Sequence, residues 1–186
     1  MNAIQSIMPG VVMLEPRVYT DERGFFFESW SQERYARAGL PQRFVQDNVS
    51  FSHRGVLRGL HYQHPRGQGK LLCVLLGEVF DVAVDVRVGS PTFGQWQGWC
   101  LSRENGRQLY LPPGVAHGFL VTGEDAIVSY KCTEYYDAEA EATIRWDDET
   151  IQIRWPDGAR VLSEKDRNGW KLRDIPVDRL PKFENA

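Results

Sequence analysis

Between Glu78 and Val88 the chain alternates with a period of two. Phe80, Val82, Val84, Val86 and Val88 fall on one side, and Asp81, Ala83, Asp85 and Arg87 on the other. A helix cannot sort residues in this way, because its faces recur every three to four positions, whereas successive side chains of a strand point to opposite sides. Shorter strand-like segments recur at 11–18, 44–51, 71–76, 94–101, 107–111, 118–121 and 126–135, most of them separated by Gly, Pro, Asn or Asp. Many short, punctuated strands define a sandwich or a barrel. One helix is expected: Ser29 and Gln32 fit a capping box, residues 32–38 are mostly fair helix formers, and Gly39 with Pro41 ends the run. After Trp155 the chain reads as loop with short helical pieces. No repeat, linker or low-complexity tract divides the 186 residues, so a single mainly β domain over 1–186 is expected.

A chain of this length buries enough surface to fold without a metal or a disulfide. Its 22 Lys and Arg against 25 Asp and Glu, a net charge of −3, are too balanced for a sequence-blind nucleic-acid binder. Cys73, Cys100 and Cys132 are odd in number and lie in apolar, strand-like runs, so they read as buried, reduced thiols in a reducing compartment. Residues 1–13 lack the basic start and apolar core of a signal peptide, and the apolar run 71–76 is far too short to span a bilayer. A cytoplasmic protein is expected, without a membrane or nucleic-acid partner.

Several clusters could carry chemistry. Arg58-Gly59-Leu60-His61-Tyr62-Gln63 is followed by Lys70, one of 5 lysines, at the head of an apolar strand. Taken alone, His61 reads as a strand histidine with a satisfied hydrogen bond and Lys70 as a snorkelling strand-end lysine. The functional alternative for Lys70 is a cation that stabilises an enolate oxygen. Strict alternation puts Arg58 and His61 on opposite faces, so if both line one pocket Gly59 must mark a bulge. In Tyr130-Lys131-Cys132-Thr133-Glu134-Tyr135-Tyr136, period two puts Tyr130, Cys132, Glu134 and Tyr136 on one face, either as core or as cavity phenols. The run Asp21–Glu28 holds three adjacent phenylalanines, of which one is expected to meet a ligand or subunit. Gln46-Asp47-Asn48 marks either an edge strand or ligand contacts.

The pattern Gly106-x5-Pro112-x-Gly114-x2-His117 resembles the second cupin motif, with Val121 where that motif has Asn. The metal-binding version of the first motif is missing: the spacing is His61-x2-His64, and no acid falls between His61 and Glu78, so no metal is expected. DERGFFFES (21–29), FVQDNVS (44–50), VLRGLHYQ (56–63), QGKL (68–71), GEVFDVAVDV (77–86), PTFGQW (91–96), HGFLV (117–121) and WPDG (155–158) together resemble the dTDP-4-dehydrorhamnose 3,5-epimerases.

That resemblance implies a cupin or jelly-roll β-barrel with a few short helices, a cofactor-free isomerase, a nucleotide-sugar substrate and a homodimer in which the N-terminal segments reach across. It makes His61 the general base, Tyr130 the general acid, Asp166 the carboxylate orienting the base, and Lys70 the partner of the enolate oxygen. It assigns substrate contacts to Arg23, Glu28, Gln46, Asp47, Asn48, Arg58, Lys70, His117 and Glu141, and stacking on the nucleobase to Tyr136. The residue types suit the chemistry. A C4 ketone acidifies the hydrogens on C3 and C5, histidine is a base of near-neutral pKa, and inversion requires an acid on the opposite face. The competing readings are a relative inverting only one carbon, a metal-dependent cupin, and a non-catalytic sugar-binding barrel.

Overall fold

The computed structural model describes residues 1–41 and 43–184. Its strands are β1 (Asn2–Gln5), β2 (Val12–Glu15), β3 (Tyr19–Asp21), β4 (Gly24–Phe26), β5 (Gln46–His53), β6 (Leu57–Gln63), β7 (Lys70–Leu76) and β8 (Glu78–Asp85). They continue with β9 (Trp96–Ser102), β10 (Gln108–Leu111), β11 (Val115–Val121), β12 (Asp125–Cys132) and β13 (Glu141–Thr143). Two short helices, α1 (Gln32–Arg37) and α2 (Glu164–Arg167), complete the regular structure with two turns of 3-10 helix near the C-terminus. One sheet has the order β1-β2-β10-β7-β12-β5 and the other β13-β6-β11-β8-β9, while β3 and β4 form a separate hairpin. Neighbours distant in sequence and antiparallel throughout are the mark of a jelly roll.

Three apolar clusters hold these layers. Leu72, Val74, Val79, Ala83, Leu101, Leu109, Leu111, Phe119 and Val128 fill part of the space between the two sheets. Val82, Val84 and Val86, from the other face of β8, pack with Ile144, Ile151, Leu172 and Ile175 under the C-terminal segment. Leu14, Leu71 and Tyr110 pack outside the six-stranded sheet against Tyr35 and Leu40. The alternation of β8 therefore has a definite sense. Its valine face is roofed by the chain's end, and the face with Asp81 and Ala83 looks into the barrel.

The expected bulge is present. On β11, His117 lies opposite His61 and Phe119 opposite Arg58, so β6 carries one residue more than its partner over this step. Directly opposed residues share a face, so Arg58 and His61 both turn inward. Gly59 makes the step sterically feasible. Its φ is +118°, and a Cβ there would lie 2.5 Å from Gly118 Cα and 2.6 Å from the His117 carbonyl oxygen.

Several expectations need correction. The N-cap of α1 is Ser31, whose Oγ accepts from Arg34 N, and the helix ends at Arg37. Ser29 is engaged otherwise: its carbonyl accepts from Tyr35 Oη (3.0 Å) and Gln108 Nε2 (2.9 Å). The first predicted strand stops at Glu15, before Pro16, and the last stops at Cys132. Glu134 and Tyr136 thus lie beyond the alternation that was to align them with Tyr130. Cys100 is exposed, since its strand is the outer strand of the five-stranded sheet, whereas Cys73 and Cys132 are buried and all three are free thiols. No helix of the described residues is long and apolar enough to cross a membrane.

Replacing Gly59 by Ala is expected to cost on the order of 3 kcal/mol, because the left-handed backbone and the close approach to β11 both resist a side chain. Urea unfolding of Gly59→Ala checks this, and the same substitution at exposed Gly158 provides a control for the backbone effect, since only Arg160 lies within 4 Å of a Cβ there.

Candidate active site

The polar interior begins with a hydrogen bond across 105 residues of sequence. His61 Nε2 lies 2.6 Å from Asp166 Oδ1. Asp166 is set by the first turn of α2: Ser163, the N-cap, accepts from Asp166 N (3.1 Å) and donates through Oγ to Asp166 Oδ2 (2.8 Å). Burial alone would raise the Asp166 pKa, but hydrogen bonds from His61, Ser163 and the Gly59 N–H outweigh it and hold the carboxyl below its usual range. Burial pushes His61 the other way, below the ordinary histidine value, and Asp166 only partly offsets it. The result at neutral pH is a neutral imidazole beside an anionic carboxylate, with Nδ1 left as the free lone pair.

Facing β6 from the other sheet are Lys70 on β7 and Tyr130 on β12. Lys70 is opposite Cys132, and Tyr130 is opposite both Leu72 and Asn48. This register puts Gln46, Asn48, Tyr130, Cys132 and Lys70 on one inner face. Burial lowers the Lys70 pKa, opposed by the negative charge of Cys132, Glu141 and Asp81 when ionised. Burial raises the Tyr130 phenol, with Arg58 pulling it down, so the hydroxyl keeps its proton at neutral pH. Lys70 and Glu141 both act electrostatically on His61, and Glu141 also acts on Tyr130, so these groups share one interior space.

Glu141 closes one side. It accepts from Tyr136 Oη (2.9 Å) and from Lys165 Nζ (2.6 Å). Tyr136 N in turn donates to Gln46 Oε1 (2.9 Å), and Gln46 Nε2 donates to Asn48 Oδ1 (3.1 Å). The loop that carries Tyr136 is tied down by Gln63, whose amide donates to the Arg66 and Tyr135 carbonyls and accepts from Asp137 N. Arg58 donates to Ser52 Oγ (2.9 Å) and the Phe51 carbonyl (3.2 Å). His117, opposite His61, shares its Nε2 with Asp81 Oδ2 at 2.9 Å.

Ten of the thirteen expected site residues converge on this interior or its rim: His61, Tyr130, Lys70, Asp166, Gln46, Asn48, Arg58, His117, Tyr136 and Glu141. Three do not. Asp47 belongs to the opposite face of β5 and pairs with Lys131 at 2.8 Å, because strand alternation turns it away from Gln46 and Asn48. Arg23 is 85% exposed and bound to Asp21, and Glu28 pairs with Arg34 at 3.3 Å. Both follow from the detached β3–β4 hairpin region, which pairs with neither sheet. Phe26, paired with Tyr19 at the open end of the hairpin, is strongly exposed. Three participants escaped the sequence reading: Asp81, Ser163 and Lys165. The Ser-x-x-Asp spacing of 163–166 is a helix-start signal that points to Ser163.

Acid–base groups distributed over two facing inner walls of a jelly roll place the chain in the class of cupin-type epimerases. Its residues 5–174 match the family model of dTDP-4-dehydrorhamnose 3,5-epimerase, and the chain belongs to that family. It is 54% identical over 176 residues to the Pseudomonas aeruginosa dTDP-4-dehydrorhamnose 3,5-epimerase, covering 94% of this chain and 97% of that one. A Legionella pneumophila dTDP-6-deoxy-D-glucose-3,5-epimerase, solved with dTDP-4-keto-L-rhamnose, superposes with a TM-score of 0.96 at 50% identity over 99% of both chains. A 3'-monoepimerase from Streptomyces bikiniensis, solved with dTDP as a His→Asn, Tyr→Phe double mutant, superposes at 0.91 with 34% identity, over 96% of this chain and 92% of that one.

Asp166→Asn is expected to lower the His61 pKa further, because it removes the anion that favours the imidazolium while the burial that disfavours it remains. An NMR titration of the imidazole in the two proteins reads this shift directly. A rise in the mutant would contradict the assignment of Asp166 as its charge partner.

Proposed function

We propose that the chain epimerises C3 and C5 of dTDP-4-dehydro-6-deoxy-D-glucose to give dTDP-4-dehydro-L-rhamnose. The observation that carries this reading is the His61–Asp166 hydrogen bond on one inner wall, faced by Lys70 and Tyr130 on the other. The free Nδ1 of His61 removes a proton from the carbon next to the C4 ketone. The C–H electron pair forms a C=C bond, and the carbonyl pair moves onto oxygen as an enolate. The Lys70 ammonium stabilises that oxygen. When the enolate collapses, the carbon takes a proton from Tyr130 on the opposite face, which inverts the centre. The phenolate regains a proton and the imidazolium releases one, so the enzyme returns to its starting state with no net redox change. Arg58 and His117 suit the polar parts of the substrate, and Tyr136 offers an aromatic face at the rim for the base.

Arg23 and Glu28 lie apart from this interior within their own chain. We therefore propose a homodimer in which the N-terminal region of one copy completes the site of the other. Val49, Phe51 and Leu75, exposed on the outside of the six-stranded sheet, fit a face that a second copy covers. Asp47, which also faces outward, is then a contact to the partner or its ligand rather than to the interior of its own barrel. A cytoplasmic location is proposed with it, in keeping with the three free thiols.

The chemistry is tested in deuterated water with the 4-keto substrate. Deuterium is expected at both C3 and C5, and none at either would end the proposal. Deuterium at one carbon only would support the second reading, a mono-epimerase, which the likeness to the Streptomyces enzyme keeps in view. His61→Asn is expected to reduce exchange at both positions by at least about 100-fold. Tyr130→Phe is expected to slow product formation more than exchange, and equal losses would contradict its role as the acid. Because burial lowers the His61 pKa, the neutral base persists below the ordinary value of 6.5. Activity should fall on the acid side only at pH below that value. For the dimer, Arg23→Ala is expected to raise KM with little change in kcat, and light scattering that finds a monomer would overturn the shared site.

A further inference from the structure

Asp81 is an acid inside the apolar part of the barrel. On its face of β8 the neighbours are Val79 and Ala83, both members of the cluster between the sheets, and the residues opposite it are Phe119 and Trp99. It is 0% exposed. One carboxylate oxygen, Oδ2, accepts from His117 Nε2, while the other, Oδ1, is buried without a hydrogen-bond partner. A buried carboxylate with an idle oxygen is costly, and an apolar pair would fill the same space with less penalty. Packing therefore gives no reason for the charge.

The interior does give one. Lys70 enters the same space, burial works against its charge, and it makes no side-chain hydrogen bond or ion pair among the described residues. The groups whose charge acts on it are Cys132 on β12, Glu141 on β13 and Asp81 on β8, it acts in turn on His61 of β6, and Arg58 on β6, His117 on β11 and Tyr130 on β12 stand on the same inner walls. Lys165 of α2 adds a like charge. Of the groups able to be negative, Tyr130 and Cys132 are kept neutral by burial, which raises both. Glu141 is already engaged by Lys165 and Tyr136. Both of those bonds fall on Glu141 Oε2, whereas Asp81 is the carboxylate with a buried oxygen that no group among the described residues meets.

We propose that Asp81 is a positioning residue for the reaction: Oδ2 fixes the ring of His117 beside His61, and Oδ1, which has no partner, turns its charge to Lys70 across the barrel interior and favours the ammonium there. The role of Lys70 at the enolate oxygen rests on the function proposed above. The charge coupling itself does not, and it is measured separately.

Asp81→Asn keeps the shape and removes the charge. The alkaline limb of kcat/KM is expected to move to lower pH by about one unit or more, because an ammonium that loses a nearby anion deprotonates sooner. A purely structural role would instead lower the rate by the same factor at every pH, and that result overturns the proposal. In the background Lys70→Arg the limb shift is expected to vanish, since guanidinium does not titrate in this range. The coupling is also read without turnover, by 13C NMR titration of Lys70 Cε. Its midpoint should fall in Asp81→Asn, and an unchanged midpoint overturns the proposal whatever the activity. Circular dichroism and the unfolding midpoint establish that the variant is folded. If it is not, Asp81→Ser, smaller and neutral, is read by the same criteria. Loss of deuterium exchange in the unaltered enzyme would sink the proposed function and leave the Lys70 titration to decide this one.

Discussion

One extra residue in β6 holds the rest of the site together. Regular pairing would send Arg58 and His61 to opposite sides of the sheet, one toward the interior and the other into the cluster under the C-terminal segment. The bulge at Gly59 resets the register, so both face the cavity, and it brings His61 directly opposite His117. Such a step is possible only where two backbones approach without a Cβ between them, and Gly59 meets Gly118 there. The two glycines work as a pair, each supplying the space the other needs.

Around that step the barrel manages charge by pairing most of it and desolvating the rest. Each inward histidine gives one nitrogen to a carboxylate, Asp166 for His61 and Asp81 for His117. The ring orientation and tautomer are fixed from behind, and the other nitrogen is left to the cavity. Burial then divides the roles. It lowers the basicity of His61 and Lys70, and raises the proton affinity of Tyr130. The same physical cause, desolvation, keeps an imidazole free of a second proton on one wall and a phenol in possession of its own on the other, the pairing that the proposed reaction uses.

Much of this was legible from the chain alone. The two-residue period of 80–88 identified β8 and separated Asp81 from the valines, although it could not tell which face was the interior. The conflict between alternation and a shared pocket for Arg58 and His61 required a bulge, and Gly59 was its only available location. Local pattern failed where long-range contacts decide. The strand through Tyr130 ends at Cys132 because Thr133 turns to bond Gly69, with Gly69 N donating to Thr133 Oγ at 2.8 Å. Tyr136 returns to the site through Gln46 and Glu141, a connection no period encodes. Asp47 was grouped with its neighbours by motif, yet strand geometry turns it outward. Arg23 and Glu28 lie on a hairpin region that pairs with neither sheet, so no local pattern relates them to the interior.

The span between His61 and Asp166 has a consequence for how the molecule comes to be active. Every strand of the barrel precedes Asp166 in the chain, so the walls can be assembled while the carboxylate that aligns the imidazole is still absent. That carboxylate arrives on a four-residue helix whose single serine cap sets its angle. On the function proposed above, competence thus depends on a segment that follows every strand of the barrel in the chain. Leu172, Ile175 and Leu180 of the same stretch cover the valine face of β8, so damage to the last two dozen residues would uncover that layer as well as take away the carboxylate.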